Sequence, residues 1–260
     1  MDNTIIQEIL FKKLSDLFQF IDRIIRTAPD AVTGQRVDSL IKAVVLYHYV
    51  RSIKLLQGIY TLCESGNGIE ATILLRSLLN LYINLKWLTQ EDIENRMTRF
   101  AEFEVIYKKL TMDKLKESRL LENKVPSNDY SVHDKDFETV KTKYNLKSDW
   151  DLFYWSGKSI RQMAEDLGLE RDYYVVYGYL SKIEHTSPSS VRSYLDDSIE
   201  GVITISVGPS EDYVAISLIT SPQYFLPIKK IVFNTFGLGI EDIDSDYVLL
   251  RELDKKYGNF

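Results

Sequence analysis

IEATILLRSLLNLYINLKWL, running from Ile69 to Leu88, is apolar at thirteen of its twenty positions, and those positions fall on nearly every side of a 3.6-residue helix. No other segment of the chain is so apolar for so long, so this is the expected central helix, surrounded by others. A membrane span is the rival reading. Against it stand Glu70, Arg76, Asn80, Asn84 and Lys86, with the arginine near mid-span, where one charge costs roughly 2.5–3.5 kcal/mol on insertion scales. Thr72, Arg76, Asn80 and Asn84 recur every four residues and form one polar column. If Arg76 is buried, it needs a partner. That partner is either a structural ion pair or cap, or part of a polar pocket within a bundle, where sites in helical proteins are built.

The flanks extend the helical pattern. Upstream, residues 4–26 carry apolar side chains at three- and four-residue spacings, and Pro29 ends that helix. Asp38 or Ser39 is placed to cap a second helix reaching about Glu64, and Ser65-Gly66-Asn67-Gly68 then turns the chain into the central helix. Downstream, Asp92 to about Glu122 reads as a long surface helix. Its eight basic and eight acidic residues between Glu91 and Lys124 cancel, which points to a solvated face. A short helix is expected around Asp136–Tyr144. After it, Trp150, Phe153, Tyr154 and Trp155 crowd into six positions and are expected to anchor a connecting segment to the core. Helices over Ser159–Leu167 and Asp172 to about Thr186 follow. On the second, Tyr173, Tyr177, Ser181 and His185 are spaced by four, a second polar column.

Near the C-terminus the period changes. VITISV (202–207) and YVAISLI (213–219) flank Gly208-Pro209 and read as a β-hairpin, followed by helices over Pro222–Phe236 and Asp242–Lys256. The expected fold is therefore mainly α: a multi-helix bundle with a small β-hairpin near the C-terminus. It is read as one domain over 1–260, with a helical core in 1–200 and the hairpin and closing helices in 201–260.

Composition narrows the function classes. A 45% hydrophobic, 12% aromatic chain of net charge −6 can bury a large core and has no overall basic balance favouring duplex DNA. The single cysteine, Cys63, rules out an intrachain disulfide and reads as buried filler. With no span and no targeting peptide visible, a cytoplasmic protein is expected. Three scattered histidines and one cysteine do not make a histidine–cysteine zinc site, and the phosphate-cradling GxGxxG and P-loop patterns are missing, so neither metal nor cofactor is expected.

Three ordered motifs, L75-R-S-L78, W155-S-G-K-S-I160 and Y177-G-Y-L-S-K-I-E-H-T-S187, resemble a bacterial family of helical proteins known only as a domain of unknown function. That family's arginine helix has the form L-R-S-L-x-E, and Asn80 stands here where its glutamate is expected. More distantly the pattern resembles the HEPN group of prokaryotic toxin and defence proteins, many of them metal-independent ribonucleases. In those, arginine, four to six further residues and then histidine follow one another on one helix. No arginine stands at that distance before any histidine of this chain.

The resemblance implies RNA cleavage by the ribose 2′-hydroxyl. His185 would act as general acid or base, Arg76 would stabilise phosphoryl charge, and Ser181 would assist as a further catalytic residue. Asn80, Tyr177 and Lys182 would contact the substrate. RNA and a second copy of the chain are the expected partners. The alternative is a non-catalytic binding or interaction module with a polar Arg/His pocket.

Overall fold

In the computed structural model, residues 3–118, 134–178, 180, 191, 194–199, 202–205 and 208–258 are described. Helix α1 (Asn3–Thr27) buries Leu10, Leu17, Ile21 and Ile24 along one stripe and stops ahead of Pro29. Ser39 caps α2 (Leu40–Glu64), its side chain accepting from the Lys42 backbone N–H at 3.3 Å. The 65–67 turn leads directly into α3 (Gly68–Gln90), the expected central helix. Its buried side chains, Leu75, Leu78, Leu79, Ile83, Leu85 and Leu88 among them, face in more than one direction because helices cover it on more than one side. Helix α4 (Ile93–Glu117) is more exposed, burying Met97, Phe103 and Ile106.

Short elements follow: α5 (Asp134–Lys143), α6 (Asp149–Phe153), α7 (Ile160–Asp166) and α8 (Glu170–Asp172). Capping boxes at Ser148/Asp151 and Ser159/Gln162 start α6 and α7. Of the four crowded aromatics, Trp155 is buried, whereas Trp150 and Phe153 are exposed, so the anchoring is done by one ring. From Tyr173 to Gly178 the backbone winds as a π-helical turn, where the spacing predicts an ordinary α-helix.

The fold is mainly helical, but the hairpin expected over 202–219 does not form. Its second run is the opening of α9 (Val214–Phe236), a helix that passes through both Pro222 and Pro227. Within the described residues, Val202–Ile205 (β2) is extended and pairs antiparallel with the upstream Leu195–Ile199 (β1). Burial overrides local preference here. An interior proline costs a helix about 3 kcal/mol or more, but α9 packs along both α2 and α3 and buries Leu218, Ile219, Phe225, Leu226, Ile228 and Val232.

The Gly208-Pro209 loop turns the chain onto the α2–α3 turn. The Ser210 N–H donates to the Gly66 carbonyl at 2.9 Å, and a Cβ on Gly68 would lie 2.2 Å from the Asp212 carbonyl oxygen. Only glycine permits that approach.

Helix α10 (Glu241–Tyr257) closes the bundle against α9. Buried apolar residues from α1 through α10 form one cluster. Among the described residues no helix is long and apolar enough to cross a membrane.

Candidate functional site

The polar column of α3 is resolved into four different roles. Thr72 is buried and turns its hydroxyl onto the Ile69 carbonyl at 2.6 Å, a local bond of the kind that short hydroxyl side chains make within helices. Arg76, one turn on and partly buried, places its guanidinium carbon 4.1 Å from the centre of the Tyr177 ring. Asn80 has a buried Oδ1 with no hydrogen-bond partner among the described residues. Asn84 donates to the Asn80 carbonyl at 2.8 Å and accepts from the Trp155 indole N–H at 3.0 Å. Two of the three motifs singled out in the sequence, the arginine helix and the tryptophan turn, thus meet through α3.

The π-helical turn brings Tyr177, the first residue of the third. Tyr177 stacks on Tyr173 with ring centroids 4.6 Å apart and planes 15° from parallel, so Arg76, Tyr177 and Tyr173 form a layered stack. Burial, and then the neighbouring Tyr177, push the Tyr173 hydroxyl above its ordinary pKa, while Arg161 and Arg76 oppose the shift. Beside it, Arg161 lies over Tyr174 at 5.3 Å and pairs with Glu165 at 2.9 Å.

The base of the turn is fixed from the far side of the bundle. Tyr224 of α9 donates to Asp172 at 2.9 Å and stacks on Tyr82 of α3. Burial, and then the adjacent Asp172 carboxylate, hold the Tyr224 hydroxyl well above its ordinary pKa and therefore protonated as a donor. Neither Tyr224 nor Asp172 stands out in the sequence. The tyrosine lies in an apolar run and the aspartate in a charged one, and only their juxtaposition across 52 positions makes them a pair.

Of the six expected site residues, Arg76, Asn80 and Tyr177 are described, and Arg76 and Tyr177 are in contact. Ser181, Lys182 and His185 lie outside the described residues. A histidine and the single cysteine are placed in the core. His48 is buried, its Nδ1 2.7 Å from the Val44 carbonyl, and burial lowers its pKa. Cys63 is fully buried, and burial pushes its thiol pKa up, away from the thiolate a nucleophile needs. Among the described residues no group of three or more histidine, cysteine, aspartate or glutamate side chains could hold a metal ion.

No curated protein and no solved structure matches this chain. A family model, described as a family of unknown function (DUF5677), matches residues 42–202, a span that includes α3, the Trp155 turn and the π-helical turn. Because that span exceeds half of the 260 residues, the chain belongs to this family of unknown function.

Proposed function

We propose that the protein is a helical binding module for a phosphate-bearing polymer, RNA being the class named, with Arg76 and Tyr177 at the centre of its site. The observation that carries this reading is the guanidinium of Arg76 held 4.1 Å over the Tyr177 ring, with Tyr173 stacked behind. A guanidinium on an aromatic face keeps its plane fixed, and that planar fork matches phosphate geometry. Tyrosine rings are also the groups on which unpaired bases stack in single-stranded RNA. The π-helical turn at Tyr173–Gly178 adds to the case, since such turns occur frequently at functional sites. A second copy of the chain is the other proposed partner.

A second reading is a metal-independent ribonuclease, a toxin-like effector of prokaryotic defence. It is favoured by the placement of Tyr177 against Arg76, because Ser181 and His185 stand four and eight residues after that tyrosine. In that reading His185 moves the proton, Arg76 stabilises the phosphoryl charge and Ser181 assists.

One experiment separates the two. Purified protein is incubated with fluorescently labelled single-stranded RNA in excess chelator, and both anisotropy and product length are followed. The variants are Arg76→Lys, Tyr177→Leu and His185→Ala, each confirmed as folded by circular dichroism. Binding without cleavage, weakened by Arg76→Lys and Tyr177→Leu but not by His185→Ala, supports the module. Cleavage abolished by His185→Ala supports the nuclease. Absence of both binding and cleavage in the wild type would overturn both.

A further inference from the structure

A pocket of about 380 Å³ lies between the end of α3, the start of α4, the end of α5 and the turn at Trp155 and Ser156. Among the described residues, the cationic side chains Arg96, Arg99 and Lys143 line it together with the acidic Asp92. That carboxylate is occupied, since Asn95 donates to it at 2.7 Å. Lys143 is also engaged, with both Glu102 oxygens 2.7 Å from its Nζ. Arg96 donates to the Trp87 carbonyl at 2.5 Å and lies 4.2 Å over the Trp87 ring, and a carboxylate neighbour, Glu91, is 3.5 Å away on the exposed surface.

Arg99 differs from all of these. Among the described residues its contacts are rings, Tyr144 at 5.0 Å and Phe103 at 5.5 Å, and its buried Nε has no hydrogen-bond partner. Burial lowers its pKa, opposed by Tyr144 and then by the charge of Asp151. The chain passes close by at Gly157, whose φ of +73° favours glycine; a Cβ there would make only an ordinary contact with the Arg99 Nη2, at 3.6 Å. A partly buried guanidinium that makes no ion pair among the described residues is costly, and an anion is a group that offsets the cost. Rings on both arginines hold their planes in place beforehand, so little ordering is left to be done on binding.

We propose that this pocket binds a small phosphate-bearing anion, with the phosphoryl group held between Arg96 and Arg99 and Lys143 at its edge. Lys143 and Arg96 already have carboxylate neighbours, so the charge that suits a phosphoryl group is that of Arg99, which makes no ion pair among the described residues. The volume falls in the range of small-molecule pockets rather than of a groove for a polymer. Trp87 and Trp155 are both nearly buried, so they offer walls and no free face for a base, and recognition is of the phosphoryl group itself. This site is independent of Arg76 and Tyr177, which do not line it.

The test is calorimetric titration with inorganic phosphate, with chloride at matched ionic strength as control, alongside thermal unfolding with and without phosphate. The wild type is expected to bind phosphate and to melt higher in its presence. Arg99→Met, which keeps length and removes charge, should weaken binding by about ten- to a hundred-fold, the worth of a charged hydrogen bond. Its melting temperature without phosphate should be unchanged or higher. Arg96→Lys, retaining charge but not the planar fork, should weaken binding by about ten-fold. Equal phosphate affinity in wild type and Arg99→Met, no binding by wild type, or a lower melting temperature of Arg99→Met in phosphate-free buffer would each overturn the proposal.

Discussion

Replacing Asp246 by leucine removes the one carboxylate that ties three helices together at a buried point. Its Oδ2 lies 3.3 Å from Lys229 Nζ on α9 and its Oδ1 lies 2.7 Å from Arg23 Nη2 on α1, while Asp246 itself belongs to α10. Asp246 is 1% exposed and Lys229 5%, whereas the Arg23 side chain is half exposed and can turn to water. The penalty therefore falls on Lys229, left as a buried ammonium whose nearest compensation is the Phe233 ring at 5.5 Å. Breaking a buried pair by removing one partner costs about 3–5 kcal/mol. For a chain of this size that corresponds to a fall of roughly 6–20 °C in melting temperature. Replacing both partners with apolar residues of similar volume, Asp246→Leu with Lys229→Met, removes the orphaned charge. The double variant should recover most of the loss or exceed wild-type stability. Urea unfolding at neutral pH, followed by circular dichroism, of the wild type, Asp246→Leu, Lys229→Met and the double variant completes a double-mutant cycle. A single-variant loss below about 1 kcal/mol, or a double variant no more stable than Asp246→Leu, would refute the reasoning.

Other perturbations test other parts of the fold. Gly68→Ala drives a Cβ to 2.2 Å from the Asp212 carbonyl oxygen and 2.5 Å from the Val214 nitrogen. With backbone on the far side unable to move aside cheaply, a loss of about 1–3 kcal/mol is expected in denaturant unfolding. His48, with its pKa lowered by burial from an ordinary 6.5, contributes stability that is complete above that value. That stability is lost as pH falls from there toward the lower folded pKa, because the unfolded chain takes up the proton first. Unfolding free energies measured from pH 7.5 down to pH 5 should therefore decline, and His48→Gln should flatten that part of the curve. Trp155→Phe deletes the indole N–H that Asn84 accepts at 3.0 Å, leaving a half-buried amide oxygen without its donor. A loss of about 1–3 kcal/mol is expected from thermal unfolding, and Asn84→Leu in the same background should restore part of it.

How far the sequence carried the structure depends on the range of the interaction being read. Helix limits in the first half are set within a turn or two of the residues that cause them: Ser39 caps α2, Pro29 follows α1, and the glycine-rich turn at 65–68 separates α2 from α3. The same locality makes Ser159 legible as the start of α7. The candidate site was half legible in the same way. Four-residue spacing on α3 and again at Tyr173 and Tyr177 identified which side chains share a face. It could not say that Arg76 and Tyr177, 101 positions apart in the sequence, would stack.

Where the reading failed, a distant contact outweighed a local preference. YVAISLI at 213–219 has the β-branched content of a strand, and Pro222 looks like a place for a helix to begin. Packed between α2 and α3, the same residues are helical, because burying Leu218 and Ile219 there outweighs two interior prolines. Similarly, Arg96 and Arg99 disappear into a balanced charge count along α4, and only the folded chain shows Trp87, Tyr144 and the Trp155 turn closing around them.

By itself, then, the sequence determined a mainly helical protein, the apolar helix at its centre and the polar column along that helix, since hydrophobic period, capping and chain breaks act over a few residues. The tertiary structure alone decided the fate of the 213–219 segment, the stack of Arg76 on Tyr177, the Asn84–Trp155 bond and the buried Lys229–Asp246 pair. Each of these depends on which groups separate elements bury against one another, and burial is a property of the assembled bundle.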